Sequence, residues 1–231
     1  MSPVRILPDR ELEARLLAEF ELVGGMDEVG RGSLAGPVSV GLAIVSRDTA
    51  PVFPPGLADS KQLTPRRREA LVEPCRGWVA DYAVAHAAPA EIDALGILGA
   101  LRLAGQRALA QVEARGHLPG AVILDGTVDW LRGRSRPAAP ACAGEKEAAP
   151  LPEVHTRAKA DAHCAVVAAA SVMAKVERDA LMRSLPDPGY DWARNKGYSS
   201  PAHAEGLARL GASDLHRRSW RLPGLERFTA G

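Results

Sequence analysis

With 231 residues the chain is long enough to bury roughly 70% of the surface its unfolded form exposes, so it needs no disulfide or structural metal as a staple. Hydrophobic residues make up 46% and charged residues 25%, the balance of a globular domain, which excludes a disordered or fibrous polymer. A net charge of +1 neither requires nor excludes a polyanionic partner, although eight Lys/Arg stand against five Asp/Glu from Arg183 onward. Cys75, Cys142 and Cys164 are odd in number and lack metal-ligand spacing, which suggests reduced thiols. No stretch approaches the ~18 apolar residues of a membrane span, and no basic segment leads into an apolar run at the start, so the expected compartment is the cytoplasm.

In chain order, residues 9–20 read as an amphipathic helix, with Leu12, Leu16 and Phe20 four apart and Asp9 placed to cap it. Residues 23–26 and 38–45 are apolar, β-branched runs that predict two paired strands, and the glycine-bearing segment 27–37 between them predicts a turn. Asp59-Ser60-Lys61-Gln62-Leu63 leads into Thr64 and Pro65, a good helix start followed by a basic stretch. Residues 78–85 suggest a strand, 97–115 a helix stopped by Gly116, and 121–124 a buried central strand ending at Asp125-Gly126. The Pro/Ala-rich segment 133–150 reads as a surface loop. Residues 162–185 predict the longest helix, whose alanines suit close packing on a sheet and which Pro186 and Pro188 end. Short helices and loops follow. Strands occur both as a hairpin and alternating with helices, so the expected fold class is α/β, a mixed sheet with helices on its faces.

Four carboxylates stand where backbone structure would hold them firmly. Asp27 and Glu28 leave the first strand, Asp125 ends the buried one, and Asp161 precedes the long helix. Each has a plain structural alternative: a solvated turn for Asp27-Glu28, a β-turn for Asp125-Gly126, an N-cap for Asp161. Strand ends on one sheet edge and a helix start beside it can, however, converge. Carboxylates brought together repel unless a cation neutralises them, and hard oxygen ligands of this kind suit Mg²⁺ or Mn²⁺.

Six ordered blocks carry a family resemblance. Gly25-Met26-Asp27-Glu28-Val29-Gly30-Arg31-Gly32, continuing through Leu34-Ala35-Gly36-Pro37-Val38, resembles the opening signature of ribonuclease HII. Asp59-Ser60-Lys61 with Leu63, Leu124-Asp125-Gly126, and Lys159-Ala160-Asp161-Ala162 followed by Ala168–Lys175 and Val176 are similar to its next three motifs. Asn195-Lys196-Gly197-Tyr198 and His216-Arg217-Arg218-Ser219-Trp220 resemble its last two. The resemblance implies a ribonuclease H-like fold with a small helical C-terminal extension, the catalytic part running over 1–185 and the extension over 186–231. It implies catalytic and metal-ligating roles for Asp27, Glu28, Asp125 and Asp161, with Mg²⁺ or Mn²⁺ as cofactor. It implies that Gly30, Arg31 and Gly32 read the ribose 2′-hydroxyl, the group that separates RNA from DNA at one position. Tyr198 would stack on the following sugar, Lys61, Lys175 and Arg217 would face phosphates, and Ser171 would approach a phosphate or line a helix–sheet contact.

The implied activity is endonucleolytic cleavage of RNA in RNA–DNA hybrids and 5′ to single ribonucleotides in duplex DNA, leaving 5′-phosphate and 3′-hydroxyl ends. The implied partner is that nucleic acid, met by a monomer without a membrane, in primer removal or ribonucleotide excision. Departures are Ala160 where glycine is usual, Ser199-Ser200 after Tyr198 where Gly-Thr is common, and Ser33 in place of a frequent proline. Ribonuclease HIII usually carries Gly-Thr-Gly at Gly30-Arg31-Gly32 and a long N-terminal domain, whereas about 24 residues precede the first motif here. A ribonuclease HI-type enzyme would open on a different Asp-Gly-Ser motif. A non-catalytic hybrid-binding protein of the same fold is the rival of another class, and turnover dependent on Mg²⁺ separates the two.

Overall fold

A computed structural model describes residues 7–133 and 151–225, so the expected loop over 133–150, with Cys142, lies almost wholly outside the described residues. Five strands, β1 (Leu22–Val29), β2 (Val38–Ser46), β3 (Asp81–Ala87), β4 (Ala121–Asp125) and β5 (Glu153–Arg157), form one sheet in the order β3-β2-β1-β4-β5. β1 pairs antiparallel with β2 and β2 with β3, while β4 runs parallel to both β1 and β5. The sheet is mixed, as the element pattern predicts. β1 runs to Val29, so Asp27 and Glu28 lie inside the strand and not in the turn expected over 27–37.

The helices are α1 (Glu11–Glu19), α2 (Pro65–Trp78), α3 (Pro89–Glu113), α4 (Ala160–His163), α5 (Ala165–Ser184), α6 (Trp192–Asn195) and α7 (Pro201–Leu210). α1, α2 and α5 cover one sheet face and α3 the other, giving two cores separated by the sheet. α5 approaches closely because both surfaces are small. A Cβ on Gly25 of β1 would lie 2.7 Å from the Val167 nitrogen, and one on Gly41 of β2 would lie 2.4 Å from the Ala170 oxygen. Here the glycines of the sheet matter as much as the alanines of the helix.

Several boundaries differ from expectation for identifiable reasons. Trp78 closes α2, its ring packed into the core and its Nε1 donating to the Ala50 oxygen at 2.9 Å, so the strand expected over 78–85 begins only at Asp81. The helix expected over 97–115 has an earlier segment starting at Pro89, with a break at Gly96, where φ is +69°. The helix expected over 162–185 is two helices. Asp9 forms a β-bridge to Cys164, its N–H bonding His163 O at 2.9 Å and its carbonyl accepting from Ala165 N at 2.9 Å, which takes the groups a continuous helix would need. The new start of α5 is served by Glu13 of α1, whose buried carboxylate accepts from Val166 N at 2.7 Å and pairs with Arg10. Asp9 itself accepts from Glu11 N at 2.9 Å, close to its expected role.

The short edge strand β5 has no counterpart among the expected elements. After α5, the remaining chain builds a third cluster in which Tyr190, Trp192, Leu207 and Leu222 enclose Leu34 and Ala35 from the β1–β2 connection. Arg217 N donates to Leu34 O at 2.9 Å, and Ala35 bridges His216. The C-terminal segment is thereby strapped to the loop that follows β1. Cys75 and Cys164 are free, buried thiols, and no described helix is long and apolar enough to cross a membrane.

Candidate metal centre and nucleic-acid cleft

Strand alternation places the acidic residues. Gly25 touches α5 while Met26 belongs to the core against α3, so Asp27 points to the α5 face and Glu28 to the other. On β4 the same alternation puts Ile123 in the α5 core, Leu124 in the α3 core and Asp125 on the α5 side. The parallel register Met26↔Leu124 sets Asp27 and Asp125 side by side, one step further along neighbouring strands on one face. Asp161 arrives from α4. Its N–H reaches Asp125 Oδ1 at 3.5 Å, and its own carboxylate accepts from Lys61 Nζ at 2.9 Å.

Asp161 is therefore neither an N-cap nor directly ahead of the long helix. It sits in the first turn of α4, after Lys159, which takes the left-handed conformation at φ +58°. The strained position belongs to Lys159, and Ala160 is an ordinary, fully buried helical residue, so the replacement of glycine there leaves Asp161 in place.

Asp27, Glu28 and Asp125 line a cleft of about 280 Å³, together with Gly30, Arg31, Gly32, Ser60, Lys61, Lys175 and Tyr198. Burial, then the charges of Glu28, Asp125 and Asp161, push the Asp27 carboxyl up to about 8, against the favourable effect of the neighbouring Ser171; Asp27 Oδ1 accepts from Glu28 N at 2.8 Å. Burial also raises Glu28 and Asp125, the latter further opposed by Asp161. Carboxylates held under such mutual repulsion fit a divalent cation by charge and by donor type. Among the described residues no three His, Cys, Asp or Glu side chains are drawn into a closed ligating group. The chain's own cations partly balance the acids instead: Arg31 Nη1 lies 3.2 Å from Glu28 Oε1, and Lys61 bonds Asp161. Burial opposes the Lys61 charge, but Asp161, Asp27 and Asp59 hold its ammonium above the ordinary value.

Lys175, bonded to Asp179 at 2.8 Å, stands over the Tyr198 ring at 5.6 Å, with Arg178 at 5.5 Å. The Tyr198 hydroxyl accepts from Gly30 N at 3.1 Å, so the residue expected at the sugar and the loop expected at the ribose touch each other. Ser200, one of the departures after Tyr198, caps α7 by accepting from His203 N at 3.1 Å.

The phosphate contact expected of Arg217 is corrected. Arg217 is fully buried: its guanidinium donates to Gly30 O at 2.6 Å, Arg31 O at 2.8 Å and Gly36 O at 3.2 Å, which leaves no face for a phosphate. Ser171, with a phosphate or a packing contact expected of it, is buried and donates to Ser60 Oγ at 2.9 Å, a contact of α5 with the turn over Ser60–Gln62. Sequence reasoning missed Arg178 and Ser33. Arg178 donates to Pro37 O at 2.9 Å and to Ser33 Oγ at 2.7 Å, beneath the same loop. Its signal was present: Ser171, Lys175 and Arg178 are spaced i, i+4, i+7, one stripe of α5 facing the site.

The ribonuclease HII family model matches residues 24–222. A ribonuclease HII of Streptomyces avermitilis is 44% identical over 212 residues, covering 91% of this chain and 81% of that one. The crystal structure of ribonuclease H2 from Pyrococcus horikoshii OT3 superposes with a TM-score of 0.59 at 27% identity, covering 91% of this chain and 100% of that one. The fold is shared too by Bst-RNase HIII solved in complex with Mn²⁺, with a TM-score of 0.55 at 23% identity over 86% of this chain and 67% of that one. A match over six ordered motifs, with the acidic residues gathered on one sheet edge, has one conclusion: this chain belongs to the ribonuclease HII family.

Proposed function

We propose that the chain is a divalent-metal-dependent endoribonuclease that cuts RNA in RNA–DNA hybrids and cleaves 5′ to single ribonucleotides in duplex DNA. The observation that carries the reading is the side-by-side placement of Asp27 and Asp125 on one sheet face, beside the Gly30-Arg31-Gly32 loop. Asp27, Glu28 and Asp125 would hold Mg²⁺ or Mn²⁺, with Asp161 completing the set once Lys61 turns from it. A bound divalent cation supplies Lewis-acid stabilisation of charge at the scissile phosphate and acidifies nearby water.

The chain's own groups supply position. Lys175 and Lys61 offer ammonium groups to the phosphates, which fixes register and carries no sequence information. The loop 30–32 faces the ribose, and Tyr198 offers its ring to the next sugar. Water adds to phosphorus and the 3′ oxygen leaves as a hydroxyl, so the 5′ phosphate stays on the downstream fragment. End-group analysis of the products tests this: 3′-hydroxyl and 5′-phosphate ends are expected, and a 2′,3′-cyclic phosphate would overturn the mechanism. Monomeric action in the cytoplasm belongs to the same reading.

A further inference from the structure

Two arginines lie beneath the loop that follows β1, and their only described hydrogen-bond acceptors are backbone carbonyls and one serine. The Gly30 carbonyl is held three ways: by Arg217 Nη2 at 2.6 Å, by Ser33 Oγ at 2.9 Å and by Ser33 N at 3.3 Å. The next carbonyl, Arg31 O, is held by Arg217 Nη1 at 2.8 Å. Arg178 supports this from below through Ser33 Oγ, and a Cβ on Gly30 would lie 2.0 Å from Arg178 Nε, so the loop is seated directly on that guanidinium. Trp220 covers the Arg217 guanidinium from another side at 4.8 Å.

All described peptide bonds here are trans, and in a trans peptide the C=O and the following N–H point in opposite directions. Pulling the Gly30 and Arg31 carbonyls inward therefore turns the Arg31 and Gly32 N–H groups outward, on the side where residues 30–32 line the cleft. We infer that Arg217, braced by Ser33 and Arg178, is a positioning residue for ribose recognition: it sets the two peptide planes that present N–H groups to the 2′-hydroxyl. This rests on the reading that the loop 30–32 meets the ribose. It replaces a phosphate-binding role, which would make Arg217 matter equally for DNA and RNA.

The test compares wild type, Arg217→Lys and Ser33→Ala on a duplex with one ribonucleotide, with an all-DNA duplex of the same sequence as competitor. Lysine keeps the charge but cannot fork across three carbonyls. The expected result for Arg217→Lys is a KM for the ribonucleotide duplex raised roughly tenfold, as loss of one or two positioning bonds allows, with the DNA inhibition constant within about twofold. Ser33→Ala should move the same ratio the same way by roughly threefold, and it decides the matter if Arg217→Lys fails to fold. A parallel rise of both constants would restore the phosphate role and overturn the inference. So would an unchanged ratio in folded protein, including a drop in kcat alone. If wild type itself shows no preference for the ribonucleotide duplex, the reading of the loop has failed, which is a different result from a wild-type preference that survives both substitutions.

Discussion

Asp27 concentrates the chemistry in one side chain. It is buried, faces two strand-borne and one helix-borne carboxylate, and its carboxyl is pushed up to about 8 by burial and by those charges. Asp27→Asn keeps the shape and removes the charge. Activity should fall by at least roughly a hundredfold if the proposed cation site is the active one, because that site loses its central ligand. In EDTA the same variant should melt no lower than wild type, and at pH 8 higher by roughly 2–6 °C, because an unbalanced buried charge has gone. A variant that lost activity by unfolding would melt lower, so a calorimetric scan separates the two. Tyr198 makes a different prediction. Its hydroxyl accepts from Gly30 N, so Tyr198→Phe should lose less than Tyr198→Ala, which removes the ring as well. Cleavage rates on single-ribonucleotide and long-hybrid substrates would show it, and equal losses in the two variants would deny the ring a role.

Between elements, the closest approach is α5 on β1 and β2. A methyl at Gly41 meets the backbone oxygen of Ala170, which cannot swing aside as a side chain could. Gly41→Ala should destabilise the protein by roughly 1–3 kcal/mol, shifting the melting temperature down by about 2–12 °C. Gly77 gives the opposite sign, since a Cβ there meets nothing within 4 Å near the end of α2. Gly77→Ala should stabilise by about 0.5–1 kcal/mol through lower unfolded-state entropy. Equal signs in thermal denaturation would contradict this packing. Much at this scale was legible in the sequence. The hairpin, the buried strand ending at Asp125 and the capped start at Thr64 all follow from periodicity and turn chemistry. Asp27 and Asp125 were legible as strand-end acids, but their shared face depends on the register between β1 and β4, which no local pattern encodes. The break at Cys164 was not legible, because Asp9, more than 150 residues away, makes it. β5 was not legible either: its alternation is weakly apolar, and only pairing with β4 defines it. Arg217 reads as one of a basic pair in the chain, and only its burial reveals that it faces backbone carbonyls.

For the molecule as a whole, the C-terminal segment is joined to the cleft by a relay of neutral rings. Ser213 N donates to His216 Nδ1 at 3.0 Å, His216 and His203 share a bond between their Nε2 atoms at 3.0 Å, and His203 Nδ1 reaches Tyr198 O at 2.9 Å. With Nδ1 of His216 accepting, its Nε2 donates to His203, whose Nδ1 donates to the Tyr198 carbonyl. Both rings are neutral, and a further proton would set two donors face to face. Burial, then the neighbouring His203, pushes His216 down to about 4, and burial lowers His203 as well. A histidine with a lowered folded pKa contributes stability that is fully present above the unfolded value of ~6.5 and is lost as pH falls toward about 4. The melting-temperature advantage of wild type over His216→Asn should therefore shrink from pH 7 to pH 5, by roughly 1–2 kcal/mol or about 2–8 °C. A constant gap would mean that the ring titrates in the fold as it does unfolded, and a gap that widens toward pH 5 would mean that it carries charge there.

In the proposed function the carboxylates and the loop over 30–32 together make a metal-dependent nuclease that senses one 2′-hydroxyl. The most direct measurement incubates a labelled DNA duplex containing a single ribonucleotide with the protein and Mg²⁺ or Mn²⁺, beside an all-DNA duplex and Asp27→Asn. The expected result is a cut 5′ to the ribonucleotide, abolished by EDTA and by Asp27→Asn, and no cut in DNA. Binding of the ribonucleotide duplex without cleavage under either cation would contradict it and leave a hybrid-binding protein in its place.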